Sequence, residues 1–140
     1  MFDIIKKIDI EKSLETNHRQ YLVGDLKLPQ ELNHIFDSDI EVGITHFKEY
    51  AAEKPHFHPI ATEYQVILSG EAKFIDLDKN EEILLQAGDF FVIRPNTSYI
   101  QKSPEGTKIL FFKHPAGNDK TLIEMTEKLY NWCSDWSVSW

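Results

Sequence analysis

The sequence has little of what several specialised protein classes need. Its single cysteine, Cys133, excludes an intramolecular disulfide and is compatible with a reducing compartment. Lys and Arg number 15 against 23 Asp and Glu, so the net charge of −8 argues against nucleic acid as a partner. No apolar run approaches the length of a membrane span, and the N-terminal residues, with the early acid Asp3, are unlike a signal peptide. We therefore predict a soluble, cytoplasmic protein without a nucleic-acid or membrane partner.

The chain also lacks repeats, low-complexity stretches and any obvious linker. At 140 residues, with 41% hydrophobic and 12% aromatic side chains, it is long and apolar enough to build one core without disulfides. We predict a single domain over residues 1–140. Its core covers about residues 20–114, and a different C-terminal part covers about residues 118–140.

Most of the chain alternates apolar and polar residues in short segments separated by turn signals such as Gly70 and Gly88. This pattern with a period of two residues is typical of an antiparallel β-barrel or sandwich, so we predict an all-β fold. Residues 1–19 fit either a short helix or a strand. The predicted strands are 20–28, 40–48, 62–68, 72–77, 82–86, 90–93, 98–102 and 107–113.

The C-terminal part has the spacing of a helix. Leu122, Met125, Leu129 and Trp132 recur at helical intervals, and Asn118 precedes them as a candidate N-cap. We predict an amphipathic helix of about four turns, packed on the outside of the barrel. Three tryptophans follow one another four residues apart, and we expect them to cover the core or a subunit interface: Trp132, Trp136 and Trp140.

One stretch carries residues suited to bind a metal. His56 and His58 are two residues apart, so in an extended strand both imidazoles point to the same face. Pro59 bends the chain after them, and a returning strand would bring the carboxylate of Glu63 beside the imidazoles. Two imidazoles and one carboxylate suit a divalent first-row transition metal with coordination positions left open. We therefore predict a metal site formed by His56, His58 and Glu63.

This arrangement resembles the first motif of the cupin superfamily, whose members are small β-barrels with a metal at one end. His56, His58, Glu63 and Gly70 fit its spacing of His, one residue, His, four residues, Glu, six residues and Gly. The glycine expected six residues before the first histidine is replaced by Tyr50. The resemblance extends over about residues 40–114, and it implies a cupin-like antiparallel jelly-roll barrel, here followed by the C-terminal α-helix.

The second cupin motif is matched less closely. Gly88 begins it, Pro95 comes one position late, and Asn96 stands where a second glycine is expected. An asparagine tolerates the positive φ that such a turn requires. Tyr99 stands where the resemblance implies the fourth metal ligand, a histidine.

Tyr99 allows three interpretations. Its side chain can simply fill the barrel, with no metal bound. Alternatively, the three remaining ligands form a site open to substrate and water. In the third interpretation the phenol oxygen binds the metal or acts as a general acid or base, because a divalent cation favours the phenolate. Tyr99 and Glu63 are therefore the candidate catalytic residues.

Four further residues are candidates for substrate binding. Gln65 shares a strand face with Glu63, and Gln101 shares one with Tyr99. His46 is expected to point inward together with Ile44. Because a polar side chain on an inner face is costly unless it has a partner, His46 is a candidate for contact with a ligand. Arg94, in the turn before Tyr99, can bind a carboxylate or phosphate group.

The resemblance implies a small metal-dependent enzyme. Cupins of this size resemble isomerases, lyases, decarboxylases and dioxygenases that act on sugars, sugar acids or other small polar acids, and they often form homodimers through sheet edges. The metal would be Fe, Ni, Mn or Zn. The main alternative is a module that binds or senses a sugar or small acid without turnover. A third is an accessory protein that contacts a partner through its aromatic tail.

Overall fold

The computed structural model describes residues 1–140, and it consists mainly of two antiparallel sheets that face each other. The elements are α1 (Lys7–Thr16), β1 (Arg19–Val23), β2 (Glu41–His46), β3 (Ala51–Ala52), β4 (His56–Phe57), β5 (Thr62–Ser69), β6 (Glu71–Asp76), β7 (Glu81–Gln86), β8 (Phe90–Ile93), β9 (Tyr99–Ser103), β10 (Lys108–His114), β11 (Thr121–Leu122) and α2 (Glu127–Cys133). One sheet has five strands in the order β1-β2-β10-β5-β8, and the other has the order β11-β4-β9-β6-β7 with β3 paired to β9. This arrangement confirms the predicted all-β jelly-roll barrel.

The core lies between the sheets. Alternating positions along each strand point inward, so side chains from the facing strands meet in one layer. Burying each such large apolar side chain contributes about 1.5–3 kcal/mol. The cluster consists of Phe47, Ile67, Ala72, Phe74, Tyr99 and Ile109.

The inner face of the five-stranded sheet changes from apolar to polar along its length. Residues paired across β2, β10 and β5 share a face, so each row of three shows what one level of the barrel contains. The apolar level packs in the core, whereas the charged level lines a cavity at one end of the barrel. The successive rows are Thr45, Ile109 and Ile67; Gly43, Phe111 and Gln65; and Glu41, Lys113 and Glu63.

Two turns have the conformation that the sequence predicts. Gly70 lies between β5 and β6 with φ +76°, and a Cβ atom there would come within 2.4 Å of the Thr107 hydroxyl. Both the backbone and the packing therefore require glycine at this position. Asn96 has φ +63° in the turn before β9, which confirms that this asparagine adopts the positive φ of the glycine it replaces.

The C-terminal helix is shorter than predicted. Helix α2 covers only Glu127–Cys133, and its N-cap is Thr126, whose hydroxyl accepts a hydrogen bond from the Leu129 amide. Asn118 is not a cap. The preceding residues are extended because β11 pairs with β4 and the Ile123 amide donates to the carbonyl of Pro55. Leu122 therefore belongs to a strand at the sheet edge, and Met125 lies between this strand and α2.

Buried Lys102 fastens the C-terminal tail to its own barrel. Its side chain is fully buried, and its Nζ donates hydrogen bonds of 2.7–2.8 Å to the carbonyls of Trp132, Asp135 and Val138. The same ammonium lies 4.2 Å from the centre of the Trp132 ring, a cation–π contact. Trp132 is 1% exposed, so the tail covers the core within one chain, as one of the two predicted roles requires.

The ambiguous N-terminal stretch contains a helix. Helix α1 precedes the edge strand β1, and its buried residues are Ser13 and Leu14. Neither α1 nor α2 is long and apolar enough to cross a membrane.

Candidate active site

A polar cavity lies at the charged end of the barrel. Its volume is about 120 Å³, and only four of the 16 residues that line it are hydrophobic. Six of the residues predicted from the sequence meet there, namely His56, His58, Glu63, Gln65, Tyr99 and Gln101. A concave pocket with converging polar side chains is a candidate binding or active site.

His56 presents one ring nitrogen to this cavity. Its Nδ1 lies 2.8 Å from the carbonyl oxygen of Lys54. Because a carbonyl oxygen can only accept a hydrogen bond, Nδ1 carries the proton and Nε2 keeps its lone pair. Burial, together with nearby Lys120, lowers the pKa of His56, although the bond to the Lys54 carbonyl opposes this shift. The imidazole is therefore neutral near pH 7, as a metal ligand must be.

His58 is held in the same way by Asp119. Nδ1 of His58 lies 2.7 Å from Oδ1 of Asp119, and the other oxygen of Asp119 accepts hydrogen bonds from the amides of Ile60 and Ala61. Burial raises the pKa of Asp119, but these hydrogen bonds outweigh it and lower the pKa to about 2. Asp119 is thus an anion that fixes the orientation of His58.

Glu63 lies on strand β5, and its side chain faces His58. Its Oε1 is 3.3 Å from Nε2 of His58, and its Oε2 accepts a 2.7 Å hydrogen bond from the side-chain amide of Gln65. With Nδ1 of His58 donating to Asp119, Nε2 and the carboxylate are two acceptors at close range. Such a contact is favourable only with a proton or a cation between them. The chemistry of this donor set fits a divalent cation.

The Tyr99 hydroxyl occupies the space beside His56. Tyr99 is 4% exposed, and its Oη lies 3.0 Å from Nε2 of His56 and 3.5 Å from Oε2 of Glu63. The shorter distance identifies the imidazole as the acceptor of the phenol proton. Burial first, and the charge of Glu63 second, hold the pKa of Tyr99 well above its usual value of 10. Its ring also packs in the core, so Tyr99 both fills the barrel and contacts the cavity.

The three predicted metal ligands line one cavity without forming a coordination shell. The structure has no group of three or more His, Cys, Asp or Glu side chains arranged to hold a metal ion. His56 and His58 have ring centres 5.2 Å apart, and the Tyr99 hydroxyl lies against the Nε2 atom that would face an ion. The assignment of His56, His58 and Glu63 as ligands therefore remains a prediction.

Two of the predicted substrate-binding residues lie elsewhere. His46 is on the outer face of β2, because Glu41, Gly43 and Thr45 form the inner face, so the prediction that it points inward is wrong. Arg94 is exposed in the turn after β8 and lines a separate, mostly apolar cleft. Gln65 and Gln101 are buried and line the cavity, as their strand positions predict.

Several charged residues of the cavity were missed from the sequence. Lys113 points inward from β10, where its ammonium donates to the carbonyl of Gly117 and lies 3.5 Å from Oδ1 of Asp119 and 3.8 Å from Oε2 of Glu41. Arg19 reaches the cavity from β1. The alternation of Lys113 with Ile109 and Phe111 on one strand face was a usable signal. Asp119 lies in an irregular segment, so no periodic pattern indicates its position.

The comparisons with known proteins agree with this architecture. The family model described as "Cupin domain" matches residues 43–112, which is half of the chain. No curated protein matches the chain.

Several solved structures share the fold. KdgF from Halomonas sp. has a TM-score of 0.55 at 18% identity, over 72% of this chain and 80% of that one. Pac13 from Streptomyces, described as a nucleoside dehydratase, has a TM-score of 0.54 at 17% identity, over 66% and 74%. A protein with a double-stranded β-helix domain from Klebsiella pneumoniae has a TM-score of 0.52 at 22% identity, over 64% and 78%. Identities this low support the fold alone. Together with the family match, they show that the chain belongs to the cupin family.

Proposed function

We propose that this cupin is a metal-dependent enzyme that acts on a small polar metabolite, such as a sugar or sugar acid, by isomerase, lyase or dioxygenase chemistry. One observation carries the proposal. Two imidazoles, each held through Nδ1 by an acceptor, direct their Nε2 atoms into a buried polar cavity that also contains Glu63. Metal ligands in proteins are held in this way, because the second ring nitrogen fixes the tautomer and orientation.

His56, His58 and Glu63 are the proposed ligands of an Fe, Ni, Mn or Zn ion. A divalent cation bound there would act as a Lewis acid on a carbonyl or carboxylate oxygen of the substrate. Tyr99 holds a proton at Oη beside the cavity, because burial keeps the pKa of the phenol well above its usual value, and this hydroxyl is placed to donate to an oxygen of the substrate. Gln65 and Gln101 supply buried amides that can bind hydroxyl or carbonyl groups.

The relatives give the proposal modest support. Pac13, which shares the fold, is described as a nucleoside dehydratase, and variants of it are described with uridine. A cupin barrel of similar size therefore accommodates a small polar metabolite. The chain's own cavity, with mostly polar walls, is consistent with the same class of ligand.

A second candidate function is favoured by the contact between Tyr99 and His56. The phenol donates to the nitrogen that would otherwise bind the ion, and this arrangement also suits a metal-free module that binds a sugar or small acid without turnover.

Metal analysis by mass spectrometry, on protein purified without an affinity tag or chelator, separates the two functions. Near-stoichiometric metal that is lost in His58→Ala supports the enzyme. His114→Ala is the matched control, since His114 is exposed at the end of β10. Absence of metal after reconstitution, with the barrel folded, would contradict the metal-dependent enzyme and support the binding module.

The proposal includes assembly as a homodimer. Strands β7 and β8 lie at the ends of their sheets, and both carry exposed apolar side chains, with Leu84 50% and Phe90 65% exposed. An unpaired sheet edge with apolar residues is usually covered. Light scattering coupled to size-exclusion chromatography tests the dimer directly.

A further inference from the structure

A second, larger cavity adjoins the polar cavity. The inner cavity of about 120 Å³ and an outer one of about 650 Å³ share four lining residues, which are Arg19, Tyr21, Glu41 and Asn118. The inner cavity alone is smaller than the roughly 300–1,000 Å³ typical of small-molecule sites, whereas the outer one lies within that range. A ligand that is too large for the inner cavity can therefore extend past Arg19 into the outer one.

Arg19 has hydrogen-bonding capacity left at this junction. Its Nε donates to the Thr45 hydroxyl at 2.9 Å, and Nη2 donates to Glu53 at 3.2 Å. A guanidinium has five N–H groups, so three of them have no partner within the chain. The side chain is 37% exposed, and its guanidinium carbon lies 5.2 Å from the centre of the Phe111 ring. These contacts hold the guanidinium in place and leave donors free for a ligand.

The charges around the cavity suit a ligand with one negative charge. The lining contains three carboxylates and three cationic side chains. Arg19 pairs with Glu53, and Lys113 lies near both Asp119 and Glu41, whereas Lys120 forms no ion pair. A single carboxylate can share the Arg19 fork, whose planar geometry matches it. A phosphate dianion would add a second charge beside three glutamates, which is unfavourable.

Building on the proposed function, we propose that the ligand is a polar monocarboxylic acid whose carboxylate is bound by Arg19 at the junction of the two cavities. The polar end of the molecule then lies in the inner cavity beside His56 and Tyr99, and the remainder lies in the outer cavity. Arg19 is thus a specificity-determining residue, and it selects the acid over the uncharged form of the same molecule.

Pairs of acids and their amides test this selection, because an amide has the shape of the acid without its charge. The probes are D-gluconate with D-gluconamide and D-glucuronate with D-glucuronamide, titrated into the full chain by calorimetry. In the wild-type protein the acid binds at least about tenfold more tightly than the amide, as expected for a hydrogen bond to a charged group. Arg19→Gln abolishes this preference, because the acid loses more affinity than the amide does.

Two further variants keep the test specific. Arg94→Gln removes an exposed arginine outside the cavity and retains the full preference for the acid. Glu53→Gln removes the carboxylate that competes for Arg19, so the acid binds more tightly than it does to the wild-type protein.

Three outcomes would overturn the inference. Amides that bind wild-type protein as tightly as the acids would show that the cavity binds small polar molecules without selecting the charge, which leaves the proposed function intact. A preference for acids that persists in Arg19→Gln would place the anchor on another residue. No binding of any probe, with metal bound or absent, would count against both this inference and the proposed class of substrate.

Discussion

Asp119 and His58 are 61 positions apart in the sequence, yet Oδ1 of Asp119 lies 2.7 Å from Nδ1 of His58. The carboxylate also accepts hydrogen bonds from two backbone amides in the bend after β4. One side chain from the segment between β10 and β11 therefore fixes both the imidazole and the chain that carries it.

Replacing Asp119 is expected to weaken metal binding without removing a ligand. In Asp119→Asn, the neutral amide no longer favours the tautomer and orientation that leave Nε2 of His58 free. Loss of such a partner typically lowers metal affinity by about 10–100-fold. Titration with Zn²⁺ in the presence of a competing chelator measures the change, and Asp25→Asn serves as a surface control because its partner, Lys27, is 84% exposed. An unchanged affinity in Asp119→Asn would show that this contact does not act through the metal.

Tyr99→Phe is expected to leave metal bound. The substitution removes the hydroxyl that contacts His56 but retains all three proposed ligands and the ring that packs in the core. Metal content measured by mass spectrometry should equal that of the wild-type protein, whereas turnover of a substrate should fall. Tyr64→Phe, on the outer face of β5, is the control. Metal lost from Tyr99→Phe alone would identify the phenol oxygen as a ligand.

Lys102→Met is expected to destabilise the protein by about 3 kcal/mol. The methionine has a similar volume, but three backbone carbonyls lose their donor in a buried environment, where each unsatisfied group is costly. Urea denaturation of Lys73→Met provides the comparison, because Lys73 donates to one carbonyl only, that of Trp136. We expect a cost of about 1 kcal/mol there. Equal costs for the two variants would refute the importance of the threefold contact.

The environment of Tyr50 makes the stability of the folded protein depend on pH. Burial, and then the charges of Cys133 and Asp135, raise the pKa of Tyr50 to about 12. Above the ordinary value of 10.0, the unfolded chain loses its proton first. The stability contributed by the protonated phenol is therefore complete below about pH 10 and is lost as the pH rises toward 12.

Urea denaturation of the wild-type protein and Tyr50→Phe at pH 8 and pH 11 checks this dependence. At pH 8 the variant should be less stable by about 1 kcal/mol, because the Cys133 carbonyl loses its hydrogen bond from the phenol. The difference should narrow at pH 11. A difference of the same size at both pH values would contradict the raised pKa.

The strand pattern was predictable because it is local. Polar and apolar residues alternate with a period of two along each strand, and the predicted strand over 90–93 coincides with β8. The motif spacing also identified residues that meet in the cavity: His56, Glu63 and Tyr99 lie on strands whose parity fixes their direction, and His58 follows directly after β4.

The prediction for the direction of the β2 side chains was wrong because alternation of polar and apolar residues does not show which face of a strand points into the barrel. Ile44 was expected to face the barrel interior, together with His46. They lie on the outer face, which is nevertheless buried at Ile44, and neighbouring Gln20 binds the Leu32 amide there. The spacing of Leu122 and Met125 was likewise compatible with a helix, but Leu122 is extended because β11 pairs with β4.

Asp119 and Arg19 could not be predicted because their roles depend on contacts between distant segments. Arg19 belongs to an edge strand outside the motif, and it reaches Glu53 across the mouth of the barrel. A single sequence contains no signal that pairs these segments. Their positions follow from how the edges of the two sheets come together.

The residues that line the cavity come partly from central strands and partly from peripheral segments. This difference affects which of them can be substituted. His56, Glu63 and Tyr99 lie on paired strands and His58 directly follows one of them, whereas Arg19 and Lys120 come from an edge strand and an irregular segment. Substitutions at the periphery can alter which molecule is admitted without disturbing the interior, and distant sites usually contribute independently. Directed evolution of ligand choice should therefore begin at these outer positions, with the inner residues left fixed.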